Sequence, residues 1–105
     1  MKKGSETRAA AQTLTAYQIH FTEDYKKRAK RFLKKHPDLG SAYLKTLMFL
    51  EINPFHPSLR LHPLKGHLLG LHSVSINLSY RITLELLIEG KTIIPINVGD
   101  HDAVY

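Results

Sequence analysis

Residues 73–98 read SVSINLSYRITLELLIEGKTIIPINV, and this stretch decides the fold. Val74 and Ile76 alternate with Ser73, Ser75 and Asn77, the two-residue period of a half-buried strand. Tyr80 to Ile88 is rich in branched side chains, and Glu89-Gly90-Lys91 turns it tightly into a third run, Thr92 to Val98. Three such runs in succession predict a meander.

Working outward towards the N-terminus, residues 53–70 form a long connection rich in Pro, His and Gly, a length that is usually functional or packed across the surface. Before it lie two helical patterns. In the first, Thr22 suits an N-cap, and Glu23 and Asp24 fall in the first turn, where the helix dipole favours acids. Tyr25, Ala29, Phe32 and Leu33 share one face; Lys26, Lys27, Arg28, Lys30, Arg31, Lys34 and Lys35 occupy the others. His36-Pro37 ends this helix. A second helix, expected to be capped near Ser41, has Tyr43, Leu44, Leu47, Met48 and either Ile52 or Phe49 as its predicted buried side, and Asn53-Pro54 stops it. Ahead of both helices, Tyr17, Ile19 and Phe21 alternate with Gln18 and His20 as an opening strand. The predicted order is β-α-α-β-β-β, an α+β domain in which a helical hairpin packs on a small, twisted, mostly antiparallel sheet.

A chain of 105 residues is one domain, since two cores would each be too small to stand alone. Residues 1–15 are polar and rich in Ala and Thr, and are expected to be a flexible or partly helical extension to a domain spanning 16–105. The absence of cysteine excludes disulfides and thiolate zinc sites and fits a cytoplasmic location. No apolar run approaches the roughly 20 residues of a membrane span, and the basic N-terminus lacks the apolar core of a secretory signal. The net charge of +6, with seven histidines besides, raises the expectation of an anionic partner such as nucleic acid.

Over residues 17–105 the chain resembles the RelE/ParE toxin superfamily. The resemblance rests on the opening strand, the basic helical hairpin ending in Asn53-Pro54, and Leu64-Lys65-Gly66 followed by Gly70. It rests also on Tyr80-Arg81-Ile82 and the final run Gly99-Asp100-His101-Asp102-Ala103-Val104-Tyr105. His62-Pro63-Leu64-Lys65-Gly66 is most similar to the YafQ-like branch. The resemblance implies a RelE-like fold and the toxin half of a type II toxin–antitoxin module. Its implied partners are a cognate antitoxin protein, the ribosome and mRNA, with a toxin monomeric when free and of higher order with its antitoxin. RelE-like members cut mRNA on the ribosome, whereas ParE-like members inhibit DNA gyrase.

Cutting RNA without a metal requires a base for the attacking 2′-hydroxyl, cations for the charge on phosphorus, and an acid for the leaving 5′-oxygen. The family match makes His101 the candidate general acid or base and Arg81 the holder of the scissile phosphate, through its planar fork. Tyr105 would stack a base or contact phosphate, Lys65 would contact phosphate, and His62 would act as base or position the substrate. Each has an ordinary alternative: a surface histidine in a polar tail, a cross-strand ion pair of Arg81 with a glutamate, a tyrosine packing the tail, a solvated loop lysine, a histidine packed by prolines. Arg60, His67, Lys30 and Lys34 are the further candidates for contact with RNA; on the helix, the same charges also suit a solvated face. His20, His36, His56 and His72 are expected to be structural or on the surface. No histidine pair has helical i, i+4 spacing within a helix, so no metal or other cofactor is expected.

The sequence also departs from the branch it resembles. Alignment through Gly70 puts Ser75 and Ser79 where the YafQ-like branch carries a histidine and an aspartate, and serine is no general base at neutral pH. That departure keeps two other readings open: a ParE-like inhibitor that binds gyrase, and a non-toxic relative that only binds an antitoxin.

Overall fold

Thr22 begins the helical layer as its residue type dictates: its backbone is extended and its hydroxyl accepts the Tyr25 N–H at 3.1 Å. A capping hydroxyl of this kind is worth about 1 kcal/mol. The computed structural model describes residues 16–100; residues 1–15, His101 and Tyr105 lie outside them. Helix α1 (Glu23–Lys35) buries Tyr25, Ala29 and Phe32, the face its spacing predicts, and Leu33 flanks them. A 3-10 turn, Pro37–Leu39, leads into α2 (Gly40–Ile52). Ser41 does not cap α2, contrary to expectation. The 3-10 turn runs straight into the helix with Gly40 already helical (φ −57°, ψ −46°), so no extended residue precedes Ser41 for a side chain to cap.

The buried face of α2 also differs from the expected one. Tyr43, Thr46 and Leu50 are buried and Leu47 is partly so, whereas Leu44, Met48 and Ile52 are 61%, 58% and 51% exposed. Apolar residues surround this helix on most sides, so their spacing gives it little direction.

Five strands form one mixed sheet in the order β1-β5-β4-β3-β2: β1 (Gln18–Ile19), β2 (His62–Pro63), β3 (His72–Ser75), β4 (Tyr80–Leu87) and β5 (Thr92–Asp100). The last three are the predicted meander, antiparallel throughout. β1 pairs parallel to β5, and β2 is a strand inside the segment read as a loop. Two 3-10 turns, Pro57–Leu59 and Gly66–Leu68, fill the rest of that segment. Gly66 and Gly70 take positive φ values of 65° and 99°, which a side chain would resist.

Pro95 sits in the interior of β5, where its missing N–H ought to break the ladder. A register shift resolves this: Thr83 pairs with Asn97 and Leu84 with Pro95, leaving Ile96 as the extra residue of a bulge.

The core lies between the helices and one face of the sheet, where Val74, Ile82, Leu84 and Ile93 are fully buried and α1 packs over β5. At its edge Phe32, His36 and Tyr80 form an aromatic cluster with ring centroids 4.7–5.4 Å apart.

The hairpin is also fastened by a buried hydrogen bond between the Tyr25 and Tyr43 hydroxyls, 2.8 Å apart. Burial pushes the Tyr25 phenol far above its ordinary pKa, and both the charge of a neighbouring ionised Tyr43 and the hydrogen bond to it push the same way. Burial raises Tyr43 as well, partly offset by its bond to Tyr25. Unfolded tyrosines ionise near pH 10, so this pair's contribution is complete below about pH 10 and is lost as pH climbs above it. Urea unfolding followed from pH 7 to 11 is expected to show that loss. Tyr25→Phe should flatten the alkaline fall, at a cost of about 1–3 kcal/mol at neutral pH for the partnerless Tyr43 hydroxyl. An unchanged alkaline slope in the variant would remove the pair from this role.

Candidate functional site

Strand alternation sends every second residue of β3 and β4 to the face of the sheet away from the helices. On β4 these are Arg81 and Thr83; their register partners on β3 are Ser75 and Ser73, and on β5 Gly99 and Asn97. Ser73 in turn pairs with His62 on β2. One row therefore runs His62, Ser73, Thr83, Asn97, and the next Ser75, Arg81, Gly99. His62 and Arg81 are separated by two strand spacings and one two-residue step, about 12 Å between Cα atoms.

Arg81 is half-buried, and its Nη1 donates to the Ser75 hydroxyl at 3.2 Å. The cross-strand ion pair with a glutamate is not found among the described residues; the charge is steered by a neutral hydroxyl. Gly99 contributes no side chain on the β5 flank of the guanidinium, and His101 follows two residues later in sequence.

His62 Nδ1 lies 3.2 Å from the Arg60 carbonyl oxygen. A carbonyl can only accept, so Nδ1 is the donor in this contact. Arg60 itself is exposed and left-handed (φ 50°, ψ 47°), closing the Pro57–Leu59 turn two residues before β2. Thr83 Oγ1 and His72 Nδ1 are buried without a hydrogen-bond partner among the described residues.

The other candidates stand apart. Lys65 and His67 are exposed and follow β2 beyond the His72 end of β3, the end away from Arg81. Lys30 and Lys34 share with Lys27 and Arg31 a shallow groove of about 250 Å³ on α1, in the helical layer. The two side-chain ion pairs among the described residues, Lys26–Glu23 and Arg28–Asp24, belong to exposed positions and contribute little, leaving that groove purely cationic.

Of the histidines expected to be structural, His36 packs on Phe32 and Tyr80, and His56 accepts the Ser58 N–H on Nδ1 while its ring stacks on Phe49 at 4.5 Å. No group of three or more potential metal-ligating side chains occurs among the described residues, and no helix there is long and apolar enough to cross a membrane.

Sequence reasoning missed one feature beside Arg81. A cavity of about 290 Å³ opens between α2, the Pro57–Leu59 turn and the end of β3. Lys45, Thr46 and Phe49 line it from the helix, Ser58 and Leu59 from the turn, and Ser75 and Ile76 from the strand. No spacing rule could reveal it, because its walls come from three segments.

No family model matches the chain, and no curated protein matches it either. The fold is nevertheless that of the RelE/ParE-type toxins. YafQ from E. coli strain BL21(DE3) superposes with a TM-score of 0.64 at 21% identity, over 85% of this chain and 98% of that one. A YoeB/ParE toxin from Agrobacterium tumefaciens gives 0.64 at 16% identity, over 80% and 98%. The E. coli DinJ–YafQ toxin–antitoxin complex gives 0.61 at 24% identity, over 86% and 98%. At these identities the likeness establishes the fold.

Proposed function

We propose that this protein is the toxin of a type II toxin–antitoxin module and a metal-independent endoribonuclease acting on ribosome-bound mRNA. The observation that carries the reading is Arg81: a half-buried guanidinium anchored by Ser75 on an otherwise polar sheet face, opposite Gly99, which itself lies two residues before His101 in sequence. Its remaining donors match the non-bridging oxygens of one phosphate. His62 takes the proton of the 2′-hydroxyl as that oxygen attacks its own 3′-phosphorus. The bond to the 5′-oxygen breaks, His101 returns a proton to it, and the products are a 2′,3′-cyclic phosphate and a 5′-hydroxyl. Tyr105 stacks a base beside the cut, while Arg60, Lys65 and His67 extend a basic rim that holds the strand. The cationic groove on α1, with Lys30 and Lys34, meets ribosomal RNA, where charge rather than sequence is read.

An antitoxin partner is part of the proposal, as in the DinJ–YafQ complex. Its acidic, amphipathic segment would fold on binding across the basic surface.

Primer extension on mRNA after induced expression is expected to show new 5′ ends inside translated codons. Purified full-length chain, treated with chelator and desalted, should make the same cuts on programmed ribosomes. Intact message in both settings would overturn the nuclease reading. The engagement of Ser75 by Arg81, at the position of a missing histidine, favours one alternative: a ParE-like inhibitor that blocks gyrase supercoiling and leaves RNA whole.

A further inference from the structure

The cavity beside Arg81 has an asymmetric chemistry that identifies its ligand. Lys45 brings an ammonium, placed 5.8 Å from the centre of the Phe49 ring. Ser75 lines the cavity where β3 ends, its hydroxyl turned to Arg81. Ser58, exposed on the Pro57–Leu59 turn, adds a hydroxyl-bearing residue at the rim. Thr46 donates its hydroxyl proton to the Ala42 carbonyl at 2.8 Å. Among the described residues, no carboxylate lines the space. Donors and a cation without an acidic group select a ligand rich in acceptors and negatively charged.

The opposite wall is apolar, formed by Phe49, Leu59 and Ile76. Phe49 is held in place by the His56 ring stacked on it, with 7° between the planes. A bare phosphate would leave that wall unused, and the volume lies at the small end of ligand pockets, room for one unit of a polymer. Ser75 adjoins both, its hydroxyl accepting from Arg81 on the far face of the sheet while the residue also lines the cavity.

We propose that this cavity is a nucleotide subsite: it takes one nucleotide of the RNA strand, with a phosphate on Lys45 and Ser58 and the base against Phe49, Leu59 and Ile76. The inference rests on the ribonuclease reading for the identity of the strand. It makes Lys45 and Phe49 specificity-determining residues for the nucleotide next to the phosphate held by Arg81.

The test is titration of the isotope-labelled full chain with adenosine 5′-monophosphate, inorganic phosphate and adenosine, followed by amide shifts. The nucleotide should saturably shift the amides of Ala42, Lys45, Thr46, Ser58 and Ser75, and each fragment alone should bind at least fivefold more weakly. Lys45→Gln, an exposed change that leaves the core untouched, should weaken nucleotide binding at least fivefold. Ala42→Leu, which fills the space, should abolish it. Phosphate binding as tightly as the nucleotide, shifts confined to the α1 groove, or wild-type affinity in Lys45→Gln would each overturn the subsite. The two proposals fail separately. Lys45-dependent nucleotide binding without mRNA cleavage keeps the subsite and removes the nuclease. Cleavage with the same base preference beside the cut in wild type and Lys45→Gln removes the subsite and keeps the nuclease.

Discussion

Arg81→Ala is expected to lower the rate of mRNA cleavage on programmed ribosomes by about 10²–10³-fold, the usual loss when one donor to a developing oxyanion is removed. The effect is large because the guanidinium is half-buried and already oriented, so its field meets little screening and it needs no reordering when charge builds on phosphorus. Arg81→Lys keeps the charge and loses the planar fork, and should recover only part of the rate. Ser75→Ala removes the anchor but not the cation, so its loss should be smaller than that of Arg81→Ala. These rates, read by primer extension with folding checked by near-UV dichroism, order the three variants. If Arg81→Ala cuts within twofold of wild type, the guanidinium is structural and the phosphate is held elsewhere.

The Arg81–Ser75 bond marks where the sequence stops being informative. Arg81 is legible from Tyr80-Arg81-Ile82, and Ser75 is legible only as the absence of a histidine. That the serine steers the arginine depends on antiparallel register, which puts residues six apart in sequence side by side. His62 behaves similarly: its presence in His62-Pro63-Leu64-Lys65-Gly66 could be read, but the contact of its Nδ1 with the Arg60 carbonyl depends on where that carbonyl points. The short strand β2 was hidden because two residues carry no period, and its proline argues against a strand except at an edge, where it lies. By contrast α1 was legible to the residue, with a capping threonine, acids behind it, and charges on every face but one.

The second large effect concerns the helix whose face the pattern misassigned. Leu50→Ala is expected to cost about 2–5 kcal/mol in urea unfolding, whereas Met48→Ala, two residues away, should change stability by no more than about 0.5 kcal/mol. Leu50 is fully buried in the cluster of Tyr43, Leu59 and Val74, so truncation leaves a void between helix, turn and sheet that close packing cannot refill. Met48 lies on the outer side with Leu44 and Ile52, where its removal takes away contact with water. Hydrophobicity alone ranks the two alike; only the phase of the helix separates them. The Tyr25–Tyr43 bond ties that phase to α1, and the bond from Thr46 to the Ala42 carbonyl lets a hydroxyl sit on the buried side, two polar features that an apolar tally passes over. Equal costs at the two positions would mean that α2 is rotated from the orientation described. The cavity walled by Lys45, Thr46 and Phe49 would then lose its shape, so this stability measurement also bears on the nucleotide subsite.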